Sequence, residues 1–259
     1  MFRQRKAHAD SAHNRAGGIA ALPVAESIMP RILVVAAVLL AFAFTCAAEA
    51  KKQPLPGTKP AKHTKSNAKG TVGEYDYYVM ALSWSPTFCS THPDEDEQCG
   101  RKGYGFILHG LWPQYQNGGG PERCVSDEDD PDRKTVNAAL AFMPSRRLID
   151  HEWRAHGVCT GLGAEKYFDL ADRAFASLTV PSALKAPPAS LQMSGNELRA
   201  ALKQVNPTLS DNMLNLHCSQ GELVEVRVCV DRDARLRACG KGMRNACPAA
   251  TPFTIPAVR

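Results

Sequence analysis

Two short runs, His109-Gly110-Leu111-Trp112-Pro113 and His151-Glu152-Trp153-Arg154-Ala155-His156-Gly157, concentrate three imidazoles and a carboxylate in a chain that has only eight histidines. Imidazole is the one side chain whose ordinary pKa, roughly 6.5, lets one copy accept a proton near neutral pH while another donates one. Two such rings placed about one reacting group can run a concerted proton transfer. His63, His92 and His217 lack such company and carry no chemical reading.

The spacing of the second run predicts how its side chains point. If residues 145–156 form a helix, Glu152 and His156 are four apart and share a face, with His151 one step round. A carboxylate beside an imidazole favours the charged ring and fixes its orientation. Gly157 is expected to end the helix in the left-handed conformation that glycine adopts without steric cost. A zinc-peptidase reading is set aside, because His-Glu-x-x-His needs its histidines four apart. His151 and His156 are five apart, which turns them about 140° from each other on a helix. No Cys-x-x-Cys occurs either, so a thiolate metal site is not indicated.

Residues 106–113 and 151–159 resemble the two active-site segments of the ribonuclease T2 family, and residues 75–89 resemble that family's first strand and following loop. The likeness runs from about Tyr75 to near the C-terminus. It implies a secreted endoribonuclease of broad base preference that needs no metal and no cofactor. RNA carries its own nucleophile, the 2′-hydroxyl, so a strand is cut if one group removes that proton and another protonates the departing 5′-oxygen. The resemblance assigns the base to His156, the acid to His109 and a phosphate contact to His151. Glu152 would order the site and stabilise the transition state. The product would be a 2′,3′-cyclic phosphate, opened by water to a 3′-phosphate.

Trp112, Gln114 and Tyr115 are the candidates for contact with a base, Trp112 by stacking or else as a core residue, and Trp153 reads as core. One position departs from the family pattern: Ala155 stands where a lysine usually precedes the last histidine. Arg154 is adjacent but points about 100° elsewhere on a helix. The expectation is therefore an active, slower nuclease. The alternative is a catalytically silent extracellular homologue that binds RNA or envelope partners.

The elements that must position these residues follow from periodicity. Strands are predicted over 75–84, 104–108 and 222–230, the last alternating Val224, Val226, Val228 and Val230 with charges. Helices are predicted over 134–143, 145–156, 164–178 and 194–205, the last opening on the capping box Ser194-Gly195-Asn196-Glu197. Residues 127–132 and 180–191 read as loops. Strands, then helices, then strands indicate an α+β fold with a mostly antiparallel sheet.

Ahead of that domain, residues 32–44 are thirteen uncharged, mostly apolar residues, too few to span a bilayer and right for a signal-peptide core. Residues 1–50 therefore read as a leader cleaved near Ala48-Glu49-Ala50, with Met29 as an alternative start. Cys46 invites a lipid anchor, but Ala43-Phe44-Thr45 fits a lipobox poorly. Residues 51–73, with six lysines and three prolines, are expected to be a disordered tail. Residues 74–259 hold twenty Lys and Arg against twenty-three Asp and Glu, a net of minus three, although the chain as a whole is at plus five. The basic balance thus belongs to leader and tail, and the domain itself is no basic RNA-coating surface.

With Cys46 removed, eight cysteines remain, an even number in a chain bound for an oxidising compartment. Sequence alone leaves their 105 pairings open. The resemblance pairs Cys124 with Cys159, Cys89 with Cys99, Cys218 with Cys247, and Cys229 with Cys239. A periplasmic or secreted monomer acting on RNA, with no lasting membrane association, is the resulting expectation.

Overall fold

The computed structural model of the protein describes residues 68–259. The expected signal sequence and most of the lysine-rich segment lie outside the described residues. In chain order the first elements are β1 (Tyr77–Trp84), α1 (Ser85–Thr91), α2 (Asp96–Cys99), β2 (Phe106–Gln114), α3 (Arg133–Ala139) and α4 (Arg146–Ala155). There follow α5 (Ala164–Ala176), β3 (Leu191–Met193), α6 (Gly195–Val205), β4 (Leu214–Ser219), β5 (Glu222–Val230) and β6 (Phe253–Ile255).

The strands form one sheet in the order β2-β1-β5-β6-β3, with β4 paired to β5. Every pairing is antiparallel except β5 with β6, which meet in parallel at Glu222 and Thr254. This is the expected α+β architecture. β1 is buried on both faces, and that decides where a site can form. Tyr78, Met80, Leu82 and Trp84 point into the main core with the helices. Tyr77 and Val79 point the other way, into a small cluster with Cys229 that Trp112, Cys239 and Met243 cover. A strand covered on both sides reads as a continuous apolar run, not as the alternation expected of a half-exposed one.

Side-chain caps mark the starts of α3, α4 and α6. The Asp132 carboxylate accepts from Thr135 N at 2.8 Å, the Ser145 hydroxyl from Leu148 N at 3.1 Å, and Ser194 with Glu197 closes the anticipated capping box. α3 stops at Ala139, short of residue 143, because the next residues turn back. There Phe142 O accepts from Leu108 N at 3.1 Å, docking the end of the helix on β2.

β2 is longer than the predicted 104–108 strand and runs through the first histidine. The short β3, β4 and β6 and the small helices after β1 carry too few residues for periodicity to reveal. Residues 68–73 also differ from the expected tail. Lys69 and Glu122 exchange two backbone hydrogen bonds of 2.8 Å, and Gly73 N donates to Cys159 O, so the ordered domain starts before residue 74.

All four disulfides implied by the resemblance are present: Cys89–Cys99, Cys124–Cys159, Cys218–Cys247 and Cys229–Cys239. Among the described residues no helix is long and apolar enough to cross a membrane.

Candidate active site

His109 occupies an irregularity in the sheet. Ala81 faces Gly110 and Leu82 faces Leu108, so His109 is the extra residue of a bulge in β2. A bulge re-aims one side chain relative to its neighbours, and here it turns an imidazole off the strand at the edge facing α4. α4 spans the predicted stretch, capped by Ser145, and ends at His156, whose N–H still bonds Glu152 O at 2.9 Å. Gly157 does not take the left-handed conformation expected of it; it opens a short 3-10 turn, Gly157–Cys159. Its missing side chain is needed for space instead, since a Cβ there would lie 2.2 Å from the Trp153 ring.

Glu152 is the hub. It is 1% exposed, and the Nε2 atoms of all three histidines converge on its carboxylate: His109 at 3.5 Å, His151 at 4.0 Å and His156 at 4.0 Å. Trp112 Nε1 donates to Glu152 Oε2 at 2.8 Å. The carboxylate rests on the β2 backbone at Gly110, where a Cβ would come within 1.9 Å of Oε2. Trp112 packs against two of the imidazoles, its centroid 5.3 Å from that of His109 and 5.4 Å from that of His156. Trp153, as expected, is core.

Burial and charge pull these groups apart in pKa. Burial holds the His156 imidazole down at about 3, and the neighbouring His151 and His109 act in the same direction, so His156 is neutral near pH 7. Its Nδ1 is buried without a hydrogen-bond partner. At His109 burial acts downward, but the hydrogen bond to Glu225 and the charges of Glu152 and Glu225 outweigh it and raise the ring above its ordinary value. Burial pushes the Glu152 carboxyl up to about 7, against the pull of His109 and Trp112. His151, more open, is lowered by burial and by His109 and Arg123. A neutral ring, a ring biased toward its charged form and a carboxyl poised near neutrality are the partners that acid–base catalysis needs.

Three further residues join the site that sequence reasoning passed over. Glu225, 3% exposed, accepts from His109 Nδ1 at 3.0 Å. Ser83 Oγ lies 3.2 Å from the same nitrogen, and Arg227 holds the other Glu225 oxygen while its guanidinium sits 5.1 Å from the centroid of the Trp112 ring. The alternation of β5 marks a strand and does not say what covers its charged face. The signal that something covers it is Cys229, two residues beyond Arg227 on the same face and closed by a disulfide.

Gln114 and Tyr115 are not brought to the imidazoles. The Gln114 amide donates to Pro113 O, and the Tyr115 hydroxyl sits over Gly70. Ala155 is buried, and Arg154 turns outward to pair with Asp130 at 3.1 Å. A cleft of about 240 Å³ lies against His109 and His151, walled by Ser83, Phe88, Ile107 and Leu148. His151 and Arg147 separate it from a wider, shallower hollow of about 590 Å³ that also contains Arg123, Arg146 and Arg154. Among the described residues no group of three His, Cys, Asp or Glu is arranged to hold a metal ion.

This disulfide-stapled α+β domain gathers three imidazoles on a buried carboxylate, the groups that acid–base chemistry uses. Residues 75–239 match the ribonuclease T2 family, and the chain belongs to that family. It is 50% identical over 104 residues to a ribonuclease of Aeromonas hydrophila, covering 40% of this chain and 46% of that one. It is 31% identical over 191 residues to a probable ribonuclease of Haemophilus influenzae, covering 68% and 64%. The chain thus spans less than two thirds of the length of either relative. Among solved structures, an RNase-related protein from Calystegia sepium aligns with a TM-score of 0.56 at 20% identity, covering 72% of this chain and 99% of that one. A variant of RNase MC1 in complex with 5′-UMP aligns at 0.55 and 24% identity, covering 70% and 98%.

Proposed function

We propose that this protein is a secreted endoribonuclease that cuts single-stranded RNA without a metal ion, by transphosphorylation to a 2′,3′-cyclic phosphate and then hydrolysis to a 3′-phosphate. The observation that carries the reading is the convergence of three Nε2 atoms on one buried carboxylate, with His156 held neutral and His109 raised. His156 takes the 2′-hydroxyl proton as the 2′-oxygen attacks phosphorus. His109 gives a proton to the 5′-oxygen as its bond to phosphorus breaks. His151, at the rim between the cleft and the arginine-lined hollow, contacts the phosphate. Glu152, buried against all three rings, stabilises the imidazolium that forms.

Trp112 fills a different role from base stacking alone: its N–H holds Glu152, and its ring packs against both His109 and His156. Base contacts at Gln114 and Tyr115 would need these side chains to turn toward the cleft. The enzyme works as a monomer in the periplasm or outside the cell. A signal peptide and a lysine-rich linker precede the catalytic domain, which covers 74–259 together with the segment from residue 68 that is bonded to it.

The test is purified protein incubated with RNA in excess EDTA, followed by analysis of the new ends. Cyclic phosphates are expected, with the rate falling by about 10²–10⁴ in His109→Ala and in His156→Ala. Intact RNA that still binds the protein would instead favour the silent homologue, the reading that Ala155 keeps in view.

A further inference from the structure

We infer that Glu225, held in turn by Arg227, is a positioning residue that fixes the orientation and tautomer of His109, so that the proton to be donated sits on Nε2. Its purpose rests on the nuclease reading above; its geometry does not. Among the side chains facing this imidazole, Ser83 comes from β1, Glu225 and Arg227 from β5, and Glu152, His151 and His156 from α4 and its cap. Glu225 Oε1 lies 3.0 Å from Nδ1, and Ser83 Oγ lies 3.2 Å from that nitrogen and 3.4 Å from that oxygen. An ionised carboxylate only accepts, so Nδ1 carries a hydrogen in both charge states of the ring. Nε2 is then the nitrogen that gains and loses a proton, and it is the one turned toward Glu152, where the other two Nε2 atoms meet.

Ionisation of Glu225 in so buried a place needs partners. Burial raises its pKa, yet the hydrogen bond from His109 and the charge of Arg227 bring it below the ordinary carboxylate value. Arg227 is thus the counter-charge that keeps Glu225 an acceptor. In the cleavage step the Nε2 proton passes to the 5′-oxygen as the P–O5′ bond breaks, while His156 has taken the 2′-hydroxyl proton and the 2′-oxygen–phosphorus bond forms. The His109 ring is left neutral, its Nδ1–H still given to Glu225. Without that acceptor the neutral ring is free to carry its hydrogen on Nε2, which leaves no lone pair there to be reprotonated.

The experiment is an NMR titration of the His109 ring nitrogens in the wild type, Glu225→Gln and Glu225→Asp, with pH profiles of kcat/KM and kcat on a dinucleotide. In the wild type the neutral ring is expected to carry hydrogen on Nδ1. In Glu225→Gln the His109 pKa should fall by about one unit, the alkaline limb of kcat/KM moving with it while KM changes little. Glu225→Asp, which keeps the charge, should restore most of the pKa. An unchanged His109 titration in a folded Glu225→Gln overturns the inference, as does a wild-type neutral ring protonated on Nε2, a measurement that stands even if the variant does not fold. If the wild type cleaves no RNA but the pKa shift appears, the positioning role holds and the nuclease reading is what fails.

Discussion

Glu152 lies against the peptide at Gly110, and no side chain larger than hydrogen fits between them, so the tightest contact of the site is made by an absence of atoms. That contact places a carboxylate in the interior, where desolvation raises its pKa to about 7, and the same burial drops His156 to about 3. The lowered His156 and the raised His109 dictate a pH profile. In the proposed mechanism the productive form has His156 neutral and His109 charged. Activity should therefore fall on the acid side well below pH 6.5, as His156 gains a proton, and on the alkaline side above 6.5, as His109 loses one. Two well-separated limbs in kcat/KM are the expected outcome, with the Glu152 ionisation at about 7 falling between them. A narrow bell centred near pH 6.5 would mean that the imidazoles titrate as in water.

Two elements meet here, and neither is sufficient. The bulge aims His109, while α4 delivers Glu152 from its buried side and His156 at its cap. The end of α4 is stapled by the bridge from Cys159 to Cys124, which lies beside Arg123, whose N–H bonds Ala155 O at 2.8 Å. That bridge closes a sequence separation of 35 residues. Its loss through Cys124→Ser with Cys159→Ser should cost about 3–4 kcal/mol in the chain-entropy account. For a domain of this size that is a fall in Tm of about 6–16 °C, read by calorimetry at matched pH. A melting temperature within a degree of the wild type's would show that the bridge constrains the unfolded chain little.

At the scale of the molecule the site makes opposing contributions to the pH dependence of stability. Glu152 titrates at about 7 in the fold against 4.5 in an open chain, so its contribution is complete below pH 4.5 and lost as pH rises through 7. His156 is the opposite case: its contribution is present above 6.5 and lost as pH falls toward 3. His109, raised, contributes below 6.5 and loses that contribution as pH rises through its folded value. The ionised Glu152 is thus carried at a cost on the alkaline side. Glu152→Gln should slow RNA cleavage yet raise Tm at pH 8, by about 2–4 °C for each kcal/mol recovered in a domain of this size. At pH 4, where the carboxyl is protonated in both states, the melting temperatures should coincide. A variant less stable than the wild type at pH 8 would mean that attraction to His109 outweighs desolvation.

Much of this was legible in the order of residues. The helix carrying Glu152 and His156 on neighbouring positions of one face, the Ser194 capping box and the β5 strand are local patterns, set by periodicity and by backbone donors that need a cap. The cysteine pairing came from family likeness, since spacing alone leaves it open. The bulge at His109, the role of Gly157 and the membership of Ser83, Glu225 and Arg227 were decided only in three dimensions. His109 and Glu225 are 116 residues apart, and their contact exists because β1, between β2 and β5, sets both registers at once. Chemistry-bearing residue types and helical faces are properties of short stretches and could be read directly. Which face of a charged strand is covered, and which carboxylate a ring nitrogen meets, depend on strand register and on what packs above it, and neither is written in any one stretch.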